Sequence, residues 1–302
     1  MNNTIKKGRS MEEAATIDVR KKRSQAAEIW RNFRKNIGAM IALGFLIALV
    51  LMALTIDLWV DYDKITAMNI MERLQWPSAK HWFGTDEMGR DLFWRVLYAS
   101  RYSLSIGFVA VVVSCVIGIP LGAIAGYYGG TVENIIMRIS DIFEAVPGIL
   151  MAMVVVAVLG SDVQNLMIAI GISAVPGYVR ITRAAVLSVK NEEYIEAVRA
   201  LGKSEAYIIF RHVLPNCLSP IIVQVTLRIA NAIVSASGLS FLGLGIKPPL
   251  PEWGALLNAG NAFVVTHNYM TIFPGLAIML TVLAFNLVGD GLRDAMDPKL
   301  KH

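Results

Sequence analysis

Residues Leu104–Tyr127 read LSIGFVAVVVSCVIGIPLGAIAGY and contain no acidic or basic side chain over 24 positions. A bilayer core of about 30 Å is crossed by about 20 apolar residues in an α-helix. An uncharged run of this length is typical of a membrane-spanning helix, because a helix satisfies its backbone hydrogen bonds internally. The stretch therefore predicts a helical membrane protein.

Similar apolar stretches occur on both sides of this one. We predict six spans, at about Ile37–Ile56, Leu104–Tyr127, Ala145–Leu159, Val163–Val179, Ser219–Leu239 and Thr271–Val288. The third and fourth are short, so their flanks must complete the crossing. The expected fold class is an all-α membrane protein with six transmembrane helices.

The composition supports this class. Of 302 residues, 55% are hydrophobic and 17% are charged, whereas about a quarter are charged in a typical soluble domain. This deficit of polar surface argues against disorder, a nucleic-acid binder and a cytosolic enzyme. Cys115 and Cys217 form no disulfide framework and no metal-ligand spacing, and we expect both to pack as small hydrophobic residues.

The distribution of basic residues predicts the orientation. Twenty Lys and Arg residues lie on the side that holds both termini, seven lie on the other side, and Arg228 falls inside the fifth span. Both termini should therefore be cytoplasmic, and the excess of five positive charges requires no nucleic-acid partner. The first 36 residues hold ten basic residues, too many for a cleaved signal sequence, so the first span should be retained.

The predicted spans divide the chain into segments. We expect a cytoplasmic arm at 1–36, a first helix at 37–56, an external segment at 57–103 and a five-helix core at 104–302. The core contains a cytoplasmic segment, 180–216, and an external loop, 240–270. The loop sequence KPPLPEWG should be rigid, because its three prolines restrict the backbone.

Turn and capping residues predict two short helices in the cytoplasmic segment. Asn191 can cap the first helix and Gly202 can end it, while Ser204 can cap the second and Pro215 can end it. Their apolar residues are Ile195, Val198, Leu201, Ile208, Ile209 and Phe210. Such a surface favours either docking of another protein or packing on the chain's own bundle.

The stretch AVRALGKS at 197–204 differs by one residue from the phosphate-binding pattern GxxxxGK[ST], which requires glycine at the position of Ala197. The residues before it are helical in pattern, whereas the phosphate-binding loop follows a strand. We therefore expect no nucleotide binding and no enzymatic activity in this chain.

The same residues resemble the EAA loop of membrane subunits of ABC importers. Glu196 to Gly202 reads EAVRALG, and Leu214-Pro215 follows at the distance found in that motif. Val198 and His212 depart from the usual alanine and isoleucine. Neither departure removes the glycine bend or the proline.

Three further stretches resemble the second membrane subunit of the dipeptide, oligopeptide and nickel permease family. They are His81 to Asp86 with Gly89-Arg90-Asp91, the run from Leu239 through the KPPLPEWG loop, and Asn286 to Asp294 with Asp297-Pro298. Together with the EAA-like stretch, they occur in the order found in that family.

This resemblance implies a type I ABC importer permease in the bacterial plasma (inner) membrane. Its partners would be a homologous second permease subunit, two cytoplasmic ATPase subunits, an external substrate-binding protein and the lipid bilayer. ATP and magnesium would bind the ATPase subunits, with no cofactor in this chain. The residues implied in ATPase coupling are Glu196, Ala197, Arg199, Gly202, Lys203, Leu214 and Pro215.

Two polar or small-residue patterns occur inside the spans. Ser114, Gly118, Gly122, Gly126 and Gly130 recur every four residues, which favours close helix packing. Gln224, Arg228, Asn231 and Ser235 share one face of the fifth span. That face lines either the translocation path or the seam with the partner subunit, or else it makes a structural contact with a neighbouring helix.

The sequence leaves the cargo open. Short peptides are the leading expectation, and nickel, a metal chelate or a glutathione-like solute fits the same architecture. The four histidines, His81, His212, His267 and His302, form no ligand pattern, so nickel would be recognised by the external binding protein. An ion-coupled carrier is disfavoured, because the six apolar stretches contain no Asp or Glu.

Overall fold

The computed structural model describes residues 25–296. Its helices are α1 Gln25–Phe33, α2 Ile37–Trp59, α3 Tyr62–Thr66, α4 Leu92–Tyr128, α5 Gly130–Glu144, α6 Gly148–Leu159, α7 Val163–Val189, α8 Glu193–Ala200, α9 Glu205–Ile208, α10 Leu218–Phe241, α11 Trp253–Asn261 and α12 Tyr269–Met296. No strand is present among these residues, and their only β-bridge joins Thr85 to Asp91. Residues 1–24 of the expected arm and the Asp297-Pro298 pair lie outside this range.

Five helices of the described chain, α2, α4, α7, α10 and α12, are long and apolar enough to cross a membrane. The third predicted span is different, because α6 begins only at Gly148 and has 12 residues. It forms a pair with α5 that is bent by 85°. Pro147 at the break lacks a backbone N–H and disfavours helix in the residue before it, so the expected single helix from Ala145 is replaced by two helices that meet at a sharp bend.

The glycine stripe packs α4 against α7. A Cβ added at Gly118 would lie 2.5 Å from the Tyr178 Cβ, and one added at Gly122 would lie 2.5 Å from the Val179 carbonyl oxygen. The packing interpretation is confirmed for these positions and for Gly126, which meets α7 in the same way. Gly130 is outside the stripe, since it follows the end of α4 and has no atom within 4 Å of an added Cβ.

The external segment and the external loop come together at one end of the bundle, called the cap end below. The Tyr269 hydroxyl donates to the Thr85 carbonyl oxygen at 2.8 Å. Glu252 is fully buried and caps α11, accepting from the backbone N–H groups of Gly254 and Ala255 at 3.0 Å each. The Ser103 hydroxyl donates to the same carboxylate at 3.2 Å. The loop is therefore attached to α4 through the buried, hydrogen-bonded carboxyl group of Glu252.

The helix α4 connects the cap end to the opposite end. Asp91 caps its first turn at the cap end, accepting from the Phe93 N–H at 2.9 Å. With 37 residues it is about 55 Å long. At its other end Tyr127 meets the segment 190–217, called the elbow below. The elbow and the cap therefore lie at opposite ends of the bundle.

Candidate functional site

The elbow is a helix, a left-handed glycine and a second helix. Glu192, rather than Asn191, is the N-cap residue of α8, because Asn191 lies in a turn closed by the Glu192 N–H to the Val189 carbonyl oxygen at 3.1 Å. Gly202 has φ +73°, a conformation that favours glycine. The Ser204 hydroxyl then accepts from the Tyr207 N–H at 3.4 Å and caps α9, as expected.

Pro215 does not end the second helix. A π-helical turn, Ile209–Val213, leads into the turn Leu214–Asn216 and on into α10. Pro215 lies in the first turn of Leu214–Asn216. Backbone N–H groups in a first turn have no hydrogen-bond partner within that turn, so the N–H that proline lacks is not needed there. The elbow is thereby joined directly to the span that carries Arg228.

One side of the elbow is buried against the bundle. Ile195, Ile208 and Val213 are fully buried in a cluster that includes Val186 of α7 and Tyr127 of α4. Burial of one such aliphatic side chain contributes about 1.5–3 kcal/mol. Packing on the chain's own bundle is therefore correct for these residues, and it holds the elbow in a defined position.

A polar contact adds to this attachment. Arg199 donates to the Tyr127 hydroxyl at 3.1 Å and lies 3.9 Å from the Glu205 carboxylate, and the Tyr127 hydroxyl donates to Glu205. The hydrogen bond to Tyr127 raises the pKa of Arg199 above its ordinary value. Sequence reasoning missed Tyr127 and Glu205, since no spacing relates residues 78 positions apart.

The other side of the elbow is exposed. Leu201 is 77% exposed and Phe210 is 62% exposed. These two residues therefore do not pack with the buried apolar residues of the elbow, such as Ile195 and Ile208. Tyr194 and Tyr207 are also exposed. The exposed residues of the elbow, called its outer face below, therefore combine these apolar and aromatic side chains with charged ones, and the described chain leaves them uncovered.

The residues implied in ATPase coupling occupy different places on the elbow. Glu196, Ala197, Gly202, Lys203 and Pro215 are exposed, and Leu214 is half-buried. The Glu196 side chain makes no hydrogen bond or ion pair within residues 25–296, and Lys203 lies 5.6 Å from the Tyr207 ring centre. Arg199, in contrast, engages its own chain.

The polar face of the fifth span lines a cavity. The cavity has a volume of about 250 Å³ and lies between α4, α7, α10 and the first turn of α6. Arg228, Asn231 and Ser235 contribute to its wall, together with Ser114 and Ser173, which the sequence did not single out for this role. Gln224 is on the same helix but outside the lining.

Residues 25–296 contain no group of three or more His, Cys, Asp or Glu side chains that could hold a metal ion. His81 instead lies between two carboxylates, 2.8 Å from Asp91 and 3.4 Å from Glu72. The hydrogen bond from Lys80 holds the pKa of Glu72 below its usual range.

Comparison with known proteins gives two family matches. The model described as "Binding-protein-dependent transport system inner membrane component" matches residues 118–302. The model described as "N-terminal TM domain of oligopeptide transport permease C" matches residues 24–77. Together they cover the first span and most of the five-helix core.

Individual relatives match over nearly their whole length. The dipeptide transport system permease protein DppC of Alkalihalophilus pseudofirmus is 46% identical, over 91% of this chain and 90% of that protein. The glutathione transport system permease proteins GsiD of Pectobacterium atrosepticum and Escherichia coli O157:H7 are 45% and 47% identical, each over 91% of this chain.

Solved structures agree on the fold. A chain of the MetNI methionine ABC transporter, in an inward-facing conformation, matches 68% of this chain and 98% of its own length, with a TM-score of 0.56 and 19% identity. The resemblance seen in the four sequence motifs is confirmed by the family matches and the relatives. The chain has the fold of an ABC importer permease, and it belongs to the family of binding-protein-dependent transport system inner membrane components.

Proposed function

We propose that this chain imports di- and oligopeptides as one of two homologous permease subunits of an ATP-driven transporter. The observation that carries this proposal is the elbow, which is anchored by buried Ile195 and Ile208 but presents an exposed outer face with Leu201 and Phe210. A rigid attachment combined with an uncovered apolar surface suits a part that transmits force from another protein.

In this proposal the outer face of the elbow binds a cytoplasmic ATPase subunit. Glu196 and Lys203 supply charges that are free to pair with it, and ATP and magnesium bind the ATPase. Closure of the ATPase pair would move the elbow, and the elbow would move α10 through the continuous turn at Pro215. For ATP to shift the population between inward-facing and outward-facing states of the transporter, the ATPase must contact these two states differently.

The cap end then faces outward, toward a substrate-binding protein, and both termini are cytoplasmic in a bacterial inner membrane. The excess of basic residues at the elbow end and in the arm supports this orientation. A glutathione-like solute is the second candidate cargo, because two relatives with 45–47% identity are named as glutathione permease proteins.

The test is purification of the tagged chain from its native host with its co-purifying subunits. ATPase subunits should co-purify with the unmodified chain, and the Glu196→Lys variant should lose them. Asp63→Lys, a charge reversal on exposed residue 63 at the cap end, is the matched control and should retain them. Equal co-purification with both variants would contradict the docking role.

The cargo is tested with the same assembly in proteoliposomes. Uptake of labelled dialanine and of labelled glutathione should each be measured with the binding protein and ATP present. ATP-dependent uptake of dialanine supports the peptide assignment. Uptake of glutathione alone assigns the second candidate instead.

A further inference from the structure

Arg228 is a cation without a counter-ion in the described chain. It lies near the middle of α10, it is half-buried, and residues 25–296 provide no acidic side chain within ion-pair distance. The neighbouring helix leaves room for it, since a Cβ at Gly177 of α7 would collide with the guanidinium. Ionisable residues at this depth normally face a bundle interior or a wet path and are paired there.

The cavity beside Arg228 offers complementary polar groups. The Ser173 hydroxyl and the Asn231 amide already donate to the carbonyl oxygens of Ile170 at 2.8 Å and Leu227 at 3.0 Å. Their oxygen atoms remain as acceptors on the cavity wall. Ser235 adds a hydroxyl with no hydrogen bond inside the described range.

These groups suit a solute that carries a carboxylate beside hydrogen-bond donors. A guanidinium donates two parallel hydrogen bonds to a carboxylate. The oxygens of Asn231 and Ser173 can accept from N–H groups beside that carboxylate. A molecule with a carboxylate next to an amide N–H, such as the C-terminal end of a peptide, satisfies both requirements.

A second groove on α7 provides a contrast. It is lined almost entirely by apolar residues of α4, α5 and α7, including Ile117, Phe143 and Val179. That lining suits lipid or another hydrophobic helix. The cavity at Arg228, unlike this groove, joins a charge within a membrane-spanning helix to hydrogen-bonding groups, as binding pockets for small molecules do.

We propose that Arg228 binds the carboxylate of the transported solute in this cavity during passage. The inference rests on the proposed function, since it assigns a chemical class to the solute that this permease carries. Ser173, Asn231 and Ser235 orient the solute. Gln224 lies outside the lining and takes no part in its binding.

The experiment measures the electrostatic preference of the cavity directly. Ser235→Cys is introduced in the assembled transporter after Cys115 and Cys217 are replaced by alanine. During ATP turnover the new thiol is treated with a sulfonate-bearing and, separately, a trimethylammonium-bearing methanethiosulfonate reagent. Arg228 should favour the anionic reagent, and Arg228→Gln should lower the ratio of the two rates by about tenfold.

The control is Ala79→Cys, an exposed position at the cap end whose rate ratio should not respond to Arg228→Gln. Uptake of trialanine provides the second measurement. It should fall about tenfold or more in Arg228→Gln and be largely restored in Arg228→Lys, which keeps the positive charge.

Each result decides the inference. An unchanged rate ratio, or a Ser235→Cys thiol that reacts with neither reagent, overturns the anion site. If Arg228→Gln changes the rate ratio but does not diminish trialanine uptake, the carboxylate does not pass through this site. The proposed permease function would still stand. If the unmodified transporter imports no peptide, the proposed cargo fails, and the labelling ratio shows separately whether the cavity attracts anions.

Discussion

Gly202 is the residue on which the shape of the elbow depends. Its φ of +73° costs a residue with a Cβ about 1–2 kcal/mol, although an added Cβ would meet no atom within 4 Å. Gly202→Ala should therefore loosen the elbow without a steric clash and reduce ATP-coupled uptake several-fold. Gly44→Ala, with equally open space in regular helix, should leave uptake unchanged. Equal uptake by both variants would show that the bend is dispensable.

Ile195 within α8 and Leu201 directly after it allow anchoring of the elbow to be tested separately from docking. Ile195 is fully buried, so Ile195→Ala should cost about 2–5 kcal/mol. Hydrogen exchange should then accelerate in residues 193–213 and not in the centre of α4. Leu201 is 77% exposed, so Leu201→Ala should leave hydrogen exchange unchanged and weaken ATPase binding. Normal ATPase binding by Leu201→Ala would place the docking surface elsewhere.

At the scale of elements, the contact between α4 and α7 depends on backbone approach. An added Cβ at Gly122 would lie 2.5 Å from the Val179 carbonyl oxygen and 2.7 Å from the Thr182 Cβ. Gly122→Ala should force the helices apart and cost about 1–3 kcal/mol, seen as a lower midpoint of thermal unfolding in detergent. Gly275→Ala on α12 meets its nearest atom at 3.9 Å and should unfold as the unmodified chain does.

At the scale of the whole molecule, the long helix α4 separates two ends that should face different compartments. Asn191→Cys at the elbow and Ala79→Cys at the cap end are both exposed positions. An impermeant maleimide should label Ala79→Cys in intact spheroplasts and Asn191→Cys only in inverted vesicles. The reverse pattern would contradict the orientation inferred from the basic residues.

The sequence by itself determined the features that depend on neighbouring residues. Long uncharged runs predicted the spans, because transfer into a bilayer depends on the composition of one segment. Gly202 and Ser204 predicted the bend and the second cap of the elbow, because turn chemistry is local. The four-residue stripe predicted close packing, since its period matches one helix face.

Only the tertiary structure decided the features that join distant residues. The attachment of Arg199 to Tyr127 brings together positions 72 residues apart. Pro147 marks the break between α5 and α6 in the sequence, but the angle of 85° and the contact of both helices with α7 are seen only in the structure. The cavity at Arg228 is formed by three helices and the start of a fourth. Gln224 does not line it, although Gln224 and Arg228 share one face of α10. Helical periodicity identifies a shared face, whereas the position of the neighbouring helices determines which part of that face borders a cavity.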